Sequence, residues 1–384
     1  METEKIKQIE KKHIMQTYGR FDVVIDHGKG SYVFDKEGKK YLDFLGGIAT
    51  CTVGHGNPKV AEEICKQAGK LLNITNLYYT EPQAILAEKL SKLSRMEKCF
   101  FCNSGTEANE AAIKLAKKIT KKKQFIAFED SFHGRTTGSL AATWKVKYKE
   151  SFTPLAPDVV FAKFNDIVSL KKAITKETAG VLLEPIQGEA GVIVPDKGYL
   201  KEVEELCKKH NILLIVDEVQ TGNGRTGEYF AFQHDNIHPD IVTTSKGIAN
   251  GVPIGVCIAK KGIDFEKGDH ASTFGGNSLA CAAANATIDY ILDNKLMENA
   301  EKVGNYFMEK LKRLNKPIIK KVKGKGLMIG VELNENKAKD IVDKCLEKGL
   351  LINNAADNIL RFLPPLTITE KEVDEAVQIL EKII

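Results

Sequence analysis

The sequence specifies an α/β protein: a mostly parallel central sheet in a large domain, plus a smaller α+β domain contributed by both chain ends. Three observations carry this reading. In the middle of the chain, short apolar runs alternate with longer segments of helical period. Those runs lack the polar alternation of a half-exposed strand, as strands buried on both faces do. The two ends break the pattern, mixing short strands with amphipathic helices.

Taken in order, residues 32–44 read as short strands around a tight Lys36-Glu37-Gly38 turn. Runs at 99–103, 125–129, 181–184, 212–217 and 241–244 read as buried strands. Between the first two, residues 107–121 place Ala112, Leu115, Ala116 and Ile119 on one helical face, with Lys114, Lys117, Lys118 and Lys121 elsewhere. A long helix starts near Ser278, because residues 279–292 contain neither Gly nor Pro. Beyond it come helices over 299–313, 336–348 and 370–382 and a strand over 327–333. The expected division is an N-terminal part of the small domain (1–55), a large domain (56–290) and the C-terminal part of the small domain (291–384).

The chain has 384 residues, 56 Lys+Arg against 51 Asp+Glu, and a net charge of +5. An excess that small, without a basic tail or an Arg-rich helix, argues against nucleic acid as a partner. With 43% hydrophobic and 28% charged residues, the composition is that of a folded globular protein and not of a disordered one. No window approaches the ~18 consecutive apolar residues of a membrane span, and the charged N-terminus does not read as a signal peptide, so a cytoplasmic protein without a membrane partner is expected. Of eight cysteines only Cys99 and Cys102 lie close together. Without a second pair or a nearby His they read as strand cysteines, and no metal is expected.

Three strand ends carry chemistry. Asn103-Ser104-Gly105-Thr106-Glu107-Ala108-Asn109-Glu110 closes one strand and opens a helix. It is either an ordinary N-cap or a phosphate cradle built from free N–H groups and hydroxyls. Asp217-Glu218-Val219-Gln220 follows the run at 212–216, placing a carboxylate where α/β sheets bind ligands, although a cap or structural ion pair would look the same. Thr243-Thr244-Ser245-Lys246-Gly247 delivers a lysine at a third strand end. Among 50 lysines most are solvated surface charges, but one at a buried strand end is suited to imine chemistry. A phosphate cradle, a carboxylate for a pyridinium nitrogen and a lysine for a Schiff base are the set pyridoxal phosphate requires.

With these residues, and with Gly54-His55-Gly56-Asn57-Pro58, Phe132-His133-Gly134-Arg135, Glu184-Pro185-Ile186-Gln187-Gly188-Glu189, Gly224-Arg225-Thr226-Gly227, Ser272-Thr273-Phe274-Gly275-Gly276-Asn277 and Leu360-Arg361-Phe362-Leu363-Pro364-Pro365-Leu366, the chain resembles the class III (omega) aminotransferases of the fold-type I pyridoxal phosphate enzymes over nearly its whole length. The resemblance implies that Lys246 attaches the cofactor and moves the reacting proton. It further implies that Asp217 holds the pyridinium proton, Gln220 reaches the phenolic oxygen, and Phe132 and Val219 sandwich the ring. Ser104, Gly105 and Thr106 would hold the phosphate, joined by Thr273 from the other subunit of a homodimer. The run Asn76-Leu77-Tyr78-Tyr79-Thr80-Glu81-Pro82-Gln83 brings the resemblance closest to the branch that exchanges amino groups between N-acetylornithine and 2-oxoglutarate in arginine biosynthesis. Ornithine, N-succinyl-ornithine, N-succinyl-diaminopimelate and 4-aminobutyrate are the alternative donors.

Only six basic residues are arginine. A guanidinium fork binds a carboxylate bidentately and an ammonium does not. By resemblance, Arg135 takes the carboxylate remote from the reacting amine and Arg361 the one adjacent to it, with Glu189 pairing with Arg361 when that carboxylate is missing. Arg225 is expected to be structural. A nucleotide-binding protein using Lys323-Gly324-Lys325-Gly326 is the competing class, but that loop precedes a strand instead of opening a helix.

Overall fold

The computed structural model describes residues 1–384. Its centre is a seven-stranded sheet in the order Lys98–Cys102, Gly255–Ala259, Ile241–Thr244, Leu213–Asp217, Thr178–Leu183, Gln124–Phe128 and Asp158–Ala162. Gly255–Ala259 runs antiparallel to both neighbours and the remaining pairings are parallel. Burial on both faces explains the unbroken apolar runs: every residue of Thr178–Leu183 is buried.

The helix Gly105–Thr120 starts two residues before the expected 107 because its cap sets the boundary. Ser104 Oγ accepts from Glu107 N at 3.3 Å, and Glu107 Oε2 accepts from Asn103 N at 2.7 Å. Its buried face of Ala108, Ala111, Ala112, Leu115 and Ala116 lies on the sheet, and the left-handed Lys121 ends it. The helix Ser278–Asp293 is capped by Asn277, whose Oδ1 accepts from Ala280 N at 2.9 Å.

The chain ends build two further four-stranded sheets. One contains Ile25–Lys29, Tyr32–Asp35, Lys40–Asp43 and Leu350–Leu351, so an N-terminal strand pairs in parallel with a C-terminal one. The other contains Ile319–Lys325, Met328–Leu333, Ile359–Phe362 and Asn353–Ala356, all antiparallel. The Gly-x-Gly at 324–326 lies in the hairpin between its first two strands, not at a helix start. Cys99 and Cys102 share one strand, three positions apart and so on opposite faces. No helix is long and apolar enough to cross a membrane.

Candidate active site

Parallel strands all present their carboxyl ends on one side, and there the chain makes a cavity of about 420 Å³. Asp217 is the last residue of Leu213–Asp217, Lys246 follows Ile241–Thr244, and the cradle follows Lys98–Cys102. Ser104, Gly105, Thr106, Phe132, Arg135 and Glu189 line this cavity. Asp217, Val219, Gln220 and Lys246 complete the wall.

Asp217 is fixed from three directions. Its Oδ2 accepts from Asn109 Nδ2 at 2.7 Å and sits 2.8 Å from His133 Nδ1, and its Oδ1 accepts from Val219 N at 3.0 Å. Asn109 is itself oriented, because Thr243 Oγ1 donates to its Oδ1 at 2.7 Å and its Nδ2 also donates to His133 O at 2.7 Å. The other ring nitrogen of His133, the buried Nε2, is left without a partner. The result is a carboxylate whose aim cannot drift.

Lys246 adopts a left-handed backbone (φ 46°) at the start of the short turn Lys246–Ala249. A non-glycine residue held there is strained, as functional residues often are. Burial pushes its ammonium pKa down; Glu189 opposes the shift and Arg361 adds to it. A lysine that sheds its proton more readily is a better nucleophile and base. The fully buried Glu184 carboxyl is pushed by burial up to about 7, with His133 opposing and Asp217 reinforcing. Its Oε2 accepts from Phe132 N at 3.1 Å and its Oε1 from Gly188 N at 3.3 Å, tying two cavity loops together.

Arg361, in the strand Ile359–Phe362, is 1% exposed. Its guanidinium pairs with the Glu189 carboxylate and also donates to Gly188 O at 3.2 Å, Asn353 Oδ1 at 3.2 Å and Gln220 Oε1 at 3.4 Å. Burial pushes the Glu189 pKa up, but Arg361 and Lys246, with Lys145, overcome it and hold the carboxyl at about 2. Arg135 has no carboxylate partner; its Cζ lies 3.6 Å from the centroid of the Tyr148 ring. One arginine is thus paired with a carboxylate and the other has no carboxylate partner.

Thr273 lies outside this cavity, in an exposed loop beside a second surface cavity. Arg225 is buried away from the site, donating to the carbonyls of Leu327 and Pro364. Sequence reasoning gives Asn109, His133 and Glu184 no role of their own, although each stands inside a motif that marks the site.

The cavity's donor set fits pyridoxal phosphate. The helix Gly105–Thr120 leaves the N–H groups of Gly105 and Thr106 without intrahelical acceptors at its positive end. At Gly105 a Cβ would come within 2.6 Å of Val219 Cγ1, so the closeness of cradle and ring-facing residue depends on glycine.

Residues 14–384 match the family model described as aminotransferase class-III. The acetylornithine aminotransferase of Archaeoglobus fulgidus is 51% identical over 373 residues, 97% of this chain and 98% of that one. The crystal structure of acetylornithine aminotransferase from Elizabethkingia anophelis superposes with a TM-score of 0.90 at 37% identity, covering 100% of this chain and 99% of that one. The ornithine aminotransferase from Toxoplasma gondii superposes with a TM-score of 0.96 at 33% identity, covering 100% and 94%. By family match, by relatives along its whole length and by shared fold, the chain belongs to the class III aminotransferases, enzymes that work with pyridoxal phosphate.

Proposed function

We propose that the chain is a cytoplasmic acetylornithine aminotransferase. It would move the δ-amino group of N-acetylornithine to 2-oxoglutarate, giving N-acetylglutamate 5-semialdehyde and glutamate. The carrying observation is the Glu189–Arg361 pair, whose Glu189 lines the cavity together with an Arg135 that has no carboxylate partner.

Bound pyridoxal phosphate supplies an electron sink for the carbanion formed when the carbon bearing the amine loses a proton. Lys246 would hold the cofactor covalently and, once released, serve as the general base and acid that takes the proton from the substrate carbon and returns it. Asp217, held by Asn109, His133 and Val219 N, would supply the carboxylate that pairs with the pyridinium nitrogen. Gly105 and Thr106 anchor the phosphate, with Ser104 capping the helix beneath it and the partner subunit's Thr273 closing the other side. Phe132, Val219 and Gln220 line the same cavity and would hold the ring, Phe132 and Val219 by packing and Gln220 by its amide.

The two half-reactions place different demands on Arg361. N-Acetylornithine has no carboxylate beside its δ-amine, and a buried, unpaired guanidinium would cost about 3–5 kcal/mol. Glu189 fills that need, and leaves when glutamate brings its own α-carboxylate. Arg135 holds the remote carboxylate in both cases.

A donor panel with 2-oxoglutarate tests the reading, comparing kcat/KM for N-acetylornithine, ornithine, N-succinyl-ornithine, N-succinyl-diaminopimelate and 4-aminobutyrate. N-Acetylornithine should lead by tenfold or more, about 1.4 kcal/mol. A lead for unacylated ornithine or 4-aminobutyrate would replace the substrate assignment. In parallel, Lys246→Ala should abolish the visible band of lysine-bound cofactor.

A further inference from the structure

We propose that Tyr148 is a positioning residue for carboxylate binding: its ring holds the Arg135 guanidinium flat, so that the fork stays aimed at the substrate. This rests on the reading of Arg135 as the anchor of the remote carboxylate.

Arg135 is exposed at the cavity wall, and its only hydrogen bond comes from the main chain, where its N–H donates to Thr106 Oγ1 at 3.3 Å. No carboxylate orients the side chain. What touches the guanidinium is aromatic: Cζ lies 3.6 Å from the Tyr148 ring centroid and 5.6 Å from that of Phe132. Those two rings stand perpendicular, 89° apart with centroids at 6.4 Å. Tyr148 therefore bridges the residue facing the cofactor ring and the arginine facing the substrate.

Stacking suits this task better than an ion pair would. An acidic partner would occupy the in-plane N–H donors and repel the incoming carboxylate. An aromatic face attracts the guanidinium through its π surface and leaves every in-plane donor free for bidentate binding. It also limits the rotamers a long, exposed arginine would otherwise lose on binding.

The Tyr148 ring is itself held. Its turn closes through Tyr148 N donating to Lys145 O at 3.0 Å, and Trp144 N donates to Ser131 O at 3.0 Å. The Trp144 ring packs on Phe161 at 5.1 Å, fastening the segment to the edge strand Asp158–Ala162. Lys145 and Lys147 lie 5.9 and 5.4 Å from the same ring, so the Tyr148 face collects cations and no acid. The Tyr148 hydroxyl has no partner within the chain, which makes the ring the working part.

The test uses holoenzyme variants Tyr148→Leu, Tyr148→Met and Tyr148→Phe, with Arg135→Leu as reference. Three quantities are read: the glutarate Kd by calorimetry, the Michaelis constant for the amino acceptor 2-oxoglutarate, and the amine half-reaction of cadaverine, which lacks a carboxylate. Tyr148→Leu and Tyr148→Met should each weaken glutarate and 2-oxoglutarate roughly two- to fivefold. Their kcat and the cadaverine half-reaction should stay near wild type, and Tyr148→Phe should match wild type throughout. Met keeps the bulk without the π face, so it serves if the leucine variant fails to fold. The proposal falls if the ring-less variants bind glutarate normally, if they impair cadaverine equally, or if Tyr148→Phe behaves like Tyr148→Leu. If Arg135→Leu leaves glutarate binding intact, the Arg135 reading itself is wrong, an outcome distinct from failure of Tyr148 alone.

Discussion

The proposed switch rests on one residue pair, Glu189 and Arg361. The guanidinium is almost fully buried, whereas the Glu189 side chain keeps 27% of its exposure and so has room to leave. Arginine is required because the fork holds four acceptors at once, Glu189, Gly188 O, Asn353 Oδ1 and Gln220 Oε1, which an ammonium could not arrange in one plane. Glu189→Gln keeps the shape and removes the charge that competes with an α-carboxylate. We expect kcat/KM for N-acetylornithine to fall about tenfold while that for glutamate holds or rises, measured as separate half-reactions. Loss of activity by the same factor with both donors would mean Glu189 is not a switch. Across 172 positions no local pattern in the sequence pairs these two residues; only the resemblance of their motifs to the family leads to the pair, and the structure brings the two side chains into contact.

At the scale of the element, the cradle depends on a helix start brought close to a strand end. Gly105 faces Val219, and Gly255, on the antiparallel strand, has Ser104 O almost where a Cβ would stand. Gly105→Ala should therefore help the helix by propensity and still damage the site, because cradle and Val219 must move apart. Cofactor binding should tighten or stay level if the cradle tolerates the methyl; we expect instead at least tenfold weaker retention, read by dialysis and absorbance, with thermal stability of the apoenzyme little changed. The helix and the parallel core strands were legible because their apolar periods are clean. Gly255–Ala259 was not, since the Gly and Pro of Gly251-Val252-Pro253 just before it are turn signals that obscure where the strand begins. Ile319–Lys325 was hidden by four lysines whose stems a half-buried strand carries outward. Asp158–Ala162 lies at the sheet edge, where only its last residue is fully buried.

For the whole molecule, one of the residues proposed for the cofactor, Thr273, lies outside the cavity within a single chain. Thr273 sits in an exposed loop, and Asn76 Nδ2 donates to the neighbouring Ser272 O at 3.1 Å and Gly275 O at 2.8 Å, binding that loop to the segment around Tyr79. Together they border a surface cavity of about 1190 Å³, with Leu77 85% and Phe274 61% exposed nearby. Large apolar side chains this exposed are what a protein interface would cover. A second copy is the occupant that also explains Thr273, which would then reach the partner's phosphate. Only the resemblance of the motif at 272–277 to the family points to such a contact, because a contact between two molecules would leave no periodic signal within one sequence. Tyr79→Asp places a charge in the middle of this surface and should shift the protein from dimer to monomer in sedimentation velocity. Because each site would borrow the partner subunit's Thr273, the monomer should also release pyridoxal phosphate at least tenfold more readily than the dimer. A monomeric variant that retains its cofactor as tightly as wild type would show the sites to be independent. A variant that stays dimeric would move the interface elsewhere.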